Sequence, residues 1–310
     1  MRMMILLFVG LLAAPNVFGS TFYEQCVLEH VASGEAELTV AEIRKQCAIE
    51  PDSLGEARAN RELSLFGDEF SILLHRDNYI LPVAHNNEAR DLPEGFGEAR
   101  ELDDEEIKFQ ISIKSMLLNN LPYNARLFAA YTNQSHWQAY NSDYSRPFRE
   151  TNHQPEVLLE FPLEKKYRGI RFDALRFALN HQSNGRSGLV SRSWNRAYAE
   201  LLMSTKYSKL GLRSWWQITD DEDNPDIADY LGHFQLDGLR QFGKHQLHWK
   251  LRDTLDSNDR GALELGWSRR IGGREDIRLY LQYFNGYGES LIDYNRKTER
   301  IGLGFKIGVE

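Results

Sequence analysis

Outside its first twenty residues this chain has no run of about 18 apolar residues, so no helix of it is built to cross a bilayer. Basic charge is also short. Lys and Arg number 37 against 45 Asp and Glu, a formal charge of −8, which argues against nucleic acid as a partner because phosphate binding needs clustered cations. Cysteine is nearly absent. Cys26 and Cys47 are the only two, and two thiols alone make a poor metal site. None of these absences bars a membrane β-barrel, whose strands alternate and average out in any hydropathy sum. Aromatic residues are plentiful instead, at 12% with 14 Tyr and 6 Trp, as expected of a barrel with aromatic girdles at the two membrane interfaces.

The N-terminus carries an export signal. Arg2 supplies the positive charge, 5–14 an apolar core of only ten residues, and 17–19 a small-residue cleavage site. We take 1–19 as a signal peptide, since ten apolar residues cannot anchor by spanning. Residues 20–66 then differ from the rest, being rich in Ala, Glu and Leu. Thr39 and Glu42 form a capping box and Ser33-Gly34 a turn, which predicts a small helical hairpin; a disordered leader is the competing view. Export permits a Cys26–Cys47 disulfide, with two free thiols as the alternative.

From about residue 70 the hydrophobic period changes to two. Ile301, Leu303, Phe305, Ile307 and Val309 alternate with Gly302, Gly304, Lys306 and Gly308, and Ile107, Phe109, Ile111 and Ile113 alternate with polar residues. Polar breaks separate such runs and predict twelve strands, near 70–85, 104–117, 123–138, 154–163, 168–183, 191–206, 211–220, 228–241, 243–254, 260–270, 275–285 and 297–309. Alternation alone does not say which face meets lipid. The export signal, the strand pattern continuing to the chain end, the shared Gly, Lys, Gln and Glu of the opposite face and the even strand count favour an apolar face turned outward. The expected fold is therefore all-β. It is a twelve-stranded antiparallel transmembrane β-barrel over 67–310, preceded by a small N-terminal helical segment. A passive porin-like channel and a soluble, ligand-binding exported barrel are the competing classes.

Within this pattern 180–195 stands apart. Leu175, Phe177 and Leu179 set the lipid face of one strand, and His181 and Ser183 continue it. If His181 pairs with Asn195 on the next strand, the three side chains converge on the outer wall. A serine hydroxyl needs a neighbouring base to become a nucleophile. An imidazole, with an ordinary pKa of about 6.5, can take and return the proton, and an amide can accept from its other N–H and fix the tautomer. Polar groups on a lipid-facing row are costly unless they serve a function or have already left the hydrocarbon. By spacing alone a wet rim at the strand end is the stronger reading.

The same residues carry a family resemblance. The 180–195 block is similar to the active-site segment of the bacterial outer membrane phospholipase A family. Other segments of that family are resembled by Tyr131-Thr132-Asn133-Gln134-Ser135-His136-Trp137-Gln138, Arg146-Pro147-Phe148-Arg149-Glu150-Thr151-Asn152, Asp223-Asn224-Pro225-Asp226 and 287–295, in order along most of 70–309. The resemblance implies an outer membrane location. It implies calcium-dependent hydrolysis of phospholipid and lysophospholipid esters, by Ser183 as nucleophile, His181 as base and Asn195 as orienting residue. It also implies an active homodimer, with Asn133 in its interface. Gly185 N–H would donate to the oxyanion. Ca2+ would be held by the Ser191 hydroxyl, the Arg186 carbonyl and Ser145 of the partner subunit. Some positions depart from the pattern. Asn133 stands where Gln is common, Arg146 replaces a Ser beside Ser145, Gly188 replaces an Asp found in some members, and the chain ends in Glu310 rather than an aromatic.

Overall fold

The computed structural model describes residues 53–65, 71–87, 101–143, 145–219, 222–253, 260–272 and 276–308. All of them belong to one compact unit, Asp52–Glu310. The expected signal peptide, the helical hairpin around Cys26 and Cys47 and the disulfide between them lie outside the described residues.

Helix α1, Leu54–Leu65, comes first. Ser53 caps it, its hydroxyl accepting from Glu56 N–H at 3.1 Å, and Ser53 with Glu56 has the capping-box spacing. The strands follow as β1 Ile72–Leu74, β2 Asn78–Asn86, β3 Glu105–Leu121, β4 Ala125–Trp137, β5 Phe148–Tyr167, β6 Ile170–Ser183 and β7 Ser193–Ser204. The rest are β8 Ser208–Thr219, β9 Phe234–Phe242, β10 His245–Asp253, β11 Gly261–Arg270, β12 Ile277–Gly286 and β13 Thr298–Ile307. Each strand from β3 on pairs antiparallel with its chain neighbour, and β2 pairs with both β13 and β3, closing a ring of twelve. The short β1 continues the line of β2 along β3, with Ile72 opposite Ser115.

Three expectations need correction. The first expected strand, 70–85, is interrupted at 75–77, where the chain leaves the ladder. The stretch expected to open a strand at 228 is instead a short helix, α2, Ile227–Leu231. The strand expected at 154–163 begins earlier, at Phe148, and its polar residues Glu150, Asn152 and Gln154 face the lumen. Pro82 has a local consequence too. It offers no N–H, and the ladder slips between Leu303 and Phe305, so that two residues of β2 face Gly304 alone. A β-carbon at Gly304 would lie 2.0 Å from the Ile80 carbonyl oxygen, so only glycine fits.

The barrel is polar inside and apolar outside. Leu179, Ile301, Leu303 and Phe305 are exposed on the outer wall, while Glu106, Lys108, Lys114, Arg176, Glu200 and Arg300 are buried in the lumen. These lumenal charges are paired. Glu106 receives Arg149 Nε at 2.9 Å, Arg300 Nη1 at 2.7 Å and His136 Nδ1 at 2.7 Å. Arg176 bridges Glu160 at 2.7 Å and Glu200 at 3.2 Å, and Glu200 also holds Arg213 at 2.5 Å. Pairing of this kind offsets the several kcal/mol that each isolated buried charge would cost.

The two ends differ. Connections β3–β4, β5–β6, β7–β8, β9–β10 and β11–β12 are two to six residues long, and those at the other end run from seven to eighteen. Short turns on the periplasmic side and long loops outside are the outer-membrane pattern. Helix α1 packs at the short-turn end. Leu54 N–H donates to the Thr205 carbonyl at 3.1 Å, and Glu62 receives Lys114 from the lumen at 3.0 Å.

Candidate active site

β6 and β7 carry the site, and their even-numbered side chains fix its register from the lumen. Arg196 Nη2 donates to Asn180 Oδ1 at 2.6 Å and to Gln182 Oε1 at 3.0 Å, while Trp194 Nε1 donates to the same Gln182 oxygen at 3.0 Å. The Arg196 guanidinium also lies 3.9 Å from the Trp194 ring centre. A slip by one residue would turn all of these outward, so the odd-numbered residues are held on the outer wall.

There the ladder sets His181 opposite Asn195 and Ser183 opposite Ser193. His181 Nδ1 lies 2.9 Å from Asn195 Oδ1. An amide oxygen only accepts, so Nδ1 carries the proton and Nε2 is left with a lone pair. Asn195 Nδ2 donates in turn to Thr219 Oγ1 at 2.9 Å, one strand further along. His181 is exposed to the membrane side and Ser183 half-buried. Among the described residues no hydrogen bond joins Ser183 to His181; the structure brings them two residues apart onto one face.

The loop after Ser183 is organised by Asn184, a buried residue that sequence reasoning passed over. Its Nδ2 donates to the Val190 carbonyl at 2.9 Å, and its Oδ1 receives Arg192 N–H at 3.1 Å and Arg186 N–H at 3.3 Å. Those bonds tie both ends of the loop to one side chain. Gly185 follows with φ +65°, a left-handed conformation that glycine adopts without strain. Arg186 sends Nη2 to the Phe148 and Arg149 carbonyls, at 3.2 and 2.9 Å, and stands 3.6 Å from Glu150. Burial lowers its guanidinium below the ordinary arginine value, with Glu150 pulling the other way. Asn224, fully buried, clamps the start of β7 by bonds to Ser193 N–H and C=O at 2.9 and 2.8 Å.

Of the other expected residues, Ser191 ends the short 3₁₀ turn Gly188–Val190, its N–H donating to the Gly188 carbonyl at 3.0 Å, and its hydroxyl has no protein partner among the described residues. Ser145 is exposed in the β4–β5 loop with φ +60°, on a different loop from Arg186 and Ser191. Asn133 lies on the outer wall of β4 opposite His153. Sequence reasoning also missed Thr219, His153 and Tyr131. Their signal is cross-strand register, which no local spacing contains.

The model of the family Phospholipase A1 matches residues 56–307, the whole barrel with most of α1. The chain belongs to the phospholipase A1 family. It is 35% identical over 269 residues to phospholipase A1 of Escherichia coli K12, covering 86% of this chain and 90% of that protein. It is 36% identical over 236 residues to the Proteus vulgaris enzyme, covering 76% and 81%. The solved structure of E. coli outer membrane phospholipase A superposes with a TM-score of 0.73 at 34% identity, covering 77% of this chain and 99% of that one. The Salmonella typhi outer membrane phospholipase, solved as a dimer with bound calcium, gives 0.73 at 33% identity, covering 78% and 94%. An active-site asparagine-to-alanine variant of the E. coli enzyme gives 0.73 at 34%, covering 78% and 94%. Membership of this family makes the chain a phospholipase, and its barrel belongs to the bacterial outer membrane.

Proposed function

We propose that this phospholipase cleaves acyl ester bonds of phospholipids and lysophospholipids with Ser183, His181 and Asn195 acting together on the outer wall, in a calcium-dependent dimer. Ser183 Oγ attacks the ester carbonyl as His181 Nε2 takes its proton. The tetrahedral adduct collapses, and the same proton goes to the departing alcohol oxygen. Water then repeats the sequence on the acyl-serine and releases the fatty acid. Asn195 accepts from His181 Nδ1–H throughout, so the lone pair of Nε2 stays turned to Ser183. Gly185 N–H receives the negative oxygen of the adduct.

The observation that carries this reading is the 2.9 Å contact between His181 Nδ1 and Asn195 Oδ1 on an otherwise apolar wall, with Ser183 next on that face. Thr219 extends the chain of bonds and steadies the amide. The position on the outer wall, at the long-loop end, suits a substrate that is itself part of the bilayer. A passive channel has less support, because paired charges fill the lumen and α1 packs at one end.

An asparagine stabilises the imidazolium less than a carboxylate would, so a cation near the oxyanion fits the chemistry. The candidate donors are neutral oxygens, namely the Arg186 carbonyl and the Ser191 hydroxyl on one loop, with Ser145 from a second copy. Hard cations prefer such ligands and complete their shells with water. The Ser191 hydroxyl, without a protein partner among the described residues, fits that role, and the relative from S. typhi is a calcium-bound dimer. When bound, calcium would supply positive charge to the developing oxyanion. Asn133 is assigned to the interface between the copies.

The test is Ser183→Ala in detergent-phospholipid micelles. Loss of about 10⁴-fold or more in kcat is expected, with the barrel still showing its folded, heat-modifiable mobility on a gel. Wild-type turnover would sink the assignment.

A further inference from the structure

Ser183 stands between two imidazoles. His181 lies along its own strand, and His153 of β5 is its direct partner across the ladder. Directly opposed residues share a face with Cβ atoms about 4.5–5.5 Å apart. The two rings are wired in opposite senses. His181 Nδ1 faces an oxygen that can only accept, so its proton sits on Nδ1 and its Nε2 is basic. His153 Nδ1 faces the Tyr131 hydroxyl at 2.6 Å. When that phenol donates, Nδ1 is the acceptor and the proton of the neutral ring sits on Nε2. The Tyr131 ring also stacks on the imidazole, at 6.3 Å between centres and 27° between planes, which fixes the ring's tilt.

The Nε2 edge so armed faces the loop. A β-carbon built on Gly185 would lie 3.6 Å from His153 Cδ2 and 3.7 Å from Nε2. We propose that His153, oriented by Tyr131, is a second N–H donor to the carbonyl oxygen under attack, beside Gly185 N–H. The inference rests on the reading of Ser183 as nucleophile. His153 gives a hydrogen bond and transfers no proton, so the proton circuit through His181 is unchanged. Two histidines beside one serine thereby divide the work: the one held by an acceptor is the base, and the one held by a donor stabilises charge. Since Asn195 is neutral, a donor aimed at the oxyanion is worth more here than beside a carboxylate-backed histidine.

The experiment compares His153→Phe, His153→Gln and Tyr131→Phe in the full-length enzyme, in mixed micelles with calcium at several enzyme concentrations. Folding is read from heat-modifiable gel mobility. His153→Phe is expected to lower kcat by about 10²-fold with little change in KM, the usual effect of losing one oxyanion donor. His153→Gln keeps a neutral N–H and is expected to recover most of that loss, which a residue acting as a base would not allow. Tyr131→Phe leaves the ring in place and frees its tautomer, with a loss of roughly tenfold in kcat, so the proposal stays testable even if His153→Phe fails to assemble. Wild-type kcat in folded His153→Phe, no recovery with glutamine, or recovery on raising enzyme concentration would each overturn it, the last by marking a role in assembly. If Ser183→Ala is inactive while His153→Phe is unimpaired, this inference alone falls. Activity in Ser183→Ala would remove the reading beneath it.

Discussion

The lumen and the outer wall both hold chains of polar side chains, and they answer to different physics. In the lumen polar groups are the packing material. Glu106, Arg149, Arg300 and His136 are buried, paired with one another and surrounded by more of their kind. On the outer wall the rule is Leu, Ile and Phe, and His153, Ser183, His181, Asn195 and Thr219 form a polar island on three adjacent ladders. Nothing in barrel stability asks for that island, whereas the lumenal network is what keeps the barrel filled. In this barrel buried charges therefore mark the core, and the polar island on the outer wall is where the proposed chemistry sits.

This contrast makes the two regions separable by mutation. The largest effect on stability belongs to the lumen. Arg176→Met leaves Glu160 and Glu200 with one cation fewer, and removal of one member of a buried pair costs about 3–5 kcal/mol. Denaturant unfolding in micelles should show an unfolding free energy lowered by that amount, while kcat of the folded fraction stays within about twofold, since surface and core sites this distinct add independently. A folded variant of normal stability and little activity would break the comparison by coupling the lumen to the wall.

Next in size is removal of calcium. Excess chelator is expected to lower lipid hydrolysis by about 10²-fold or more, the scale set by losing electrostatic support of an oxyanion, and added calcium should restore it. The heat-modifiable mobility should not change, because the proposed donors sit in the β4–β5 and β6–β7 loops and not in the lumenal network. Unchanged turnover in chelator would refute the assignment of Ser191, Arg186 and Ser145. A chelator-induced loss of barrel mobility would show that the ion serves the fold.

Most of the architecture was legible because alternation reports it directly. β13 ends within two residues of expectation, and the pairing of His181 with Asn195 is the one that the loop length suggests. The misreadings have physical reasons. Residues 70–85 hold two apolar stretches around His75-Arg76-Asp77-Asn78, and there Arg76 turns inward to bond Glu156 at 2.7 Å and the ladder breaks. The start of β5, 148–153, looks like a loop because its polar residues follow Pro147, but there Glu150 and Asn152 turn to the lumen. α2 is a five-residue stretch, too short for period to separate helix from strand. At the site, the meeting of His181 and Asn195 on one face could be read from adjacency. Thr219, His153 and Tyr131 could not, because each depends on which strand lies beside which.

Asn195→Ala has a smaller expected effect and the sharpest meaning. The substitution removes the acceptor for His181 Nδ1–H, and with it the preference for the tautomer that leaves Nε2 basic. Replacing the orienting carboxylate of a serine triad by an amide costs about 10⁴-fold, because the wrong tautomer results. Here the amide contributes no charge and only its hydrogen bond is lost, so a fall of about 10- to 10²-fold in kcat is expected, at unchanged KM and unchanged unfolding midpoint. Thr219→Val should show a fraction of that loss, since it touches the amide and not the imidazole. Kinetics of both variants in the same micelles decide the point. If Asn195→Ala lost as much activity as Ser183→Ala, the asparagine would be doing more than orienting a ring. If it also lowered stability, the island on the wall would be part of the scaffold after all.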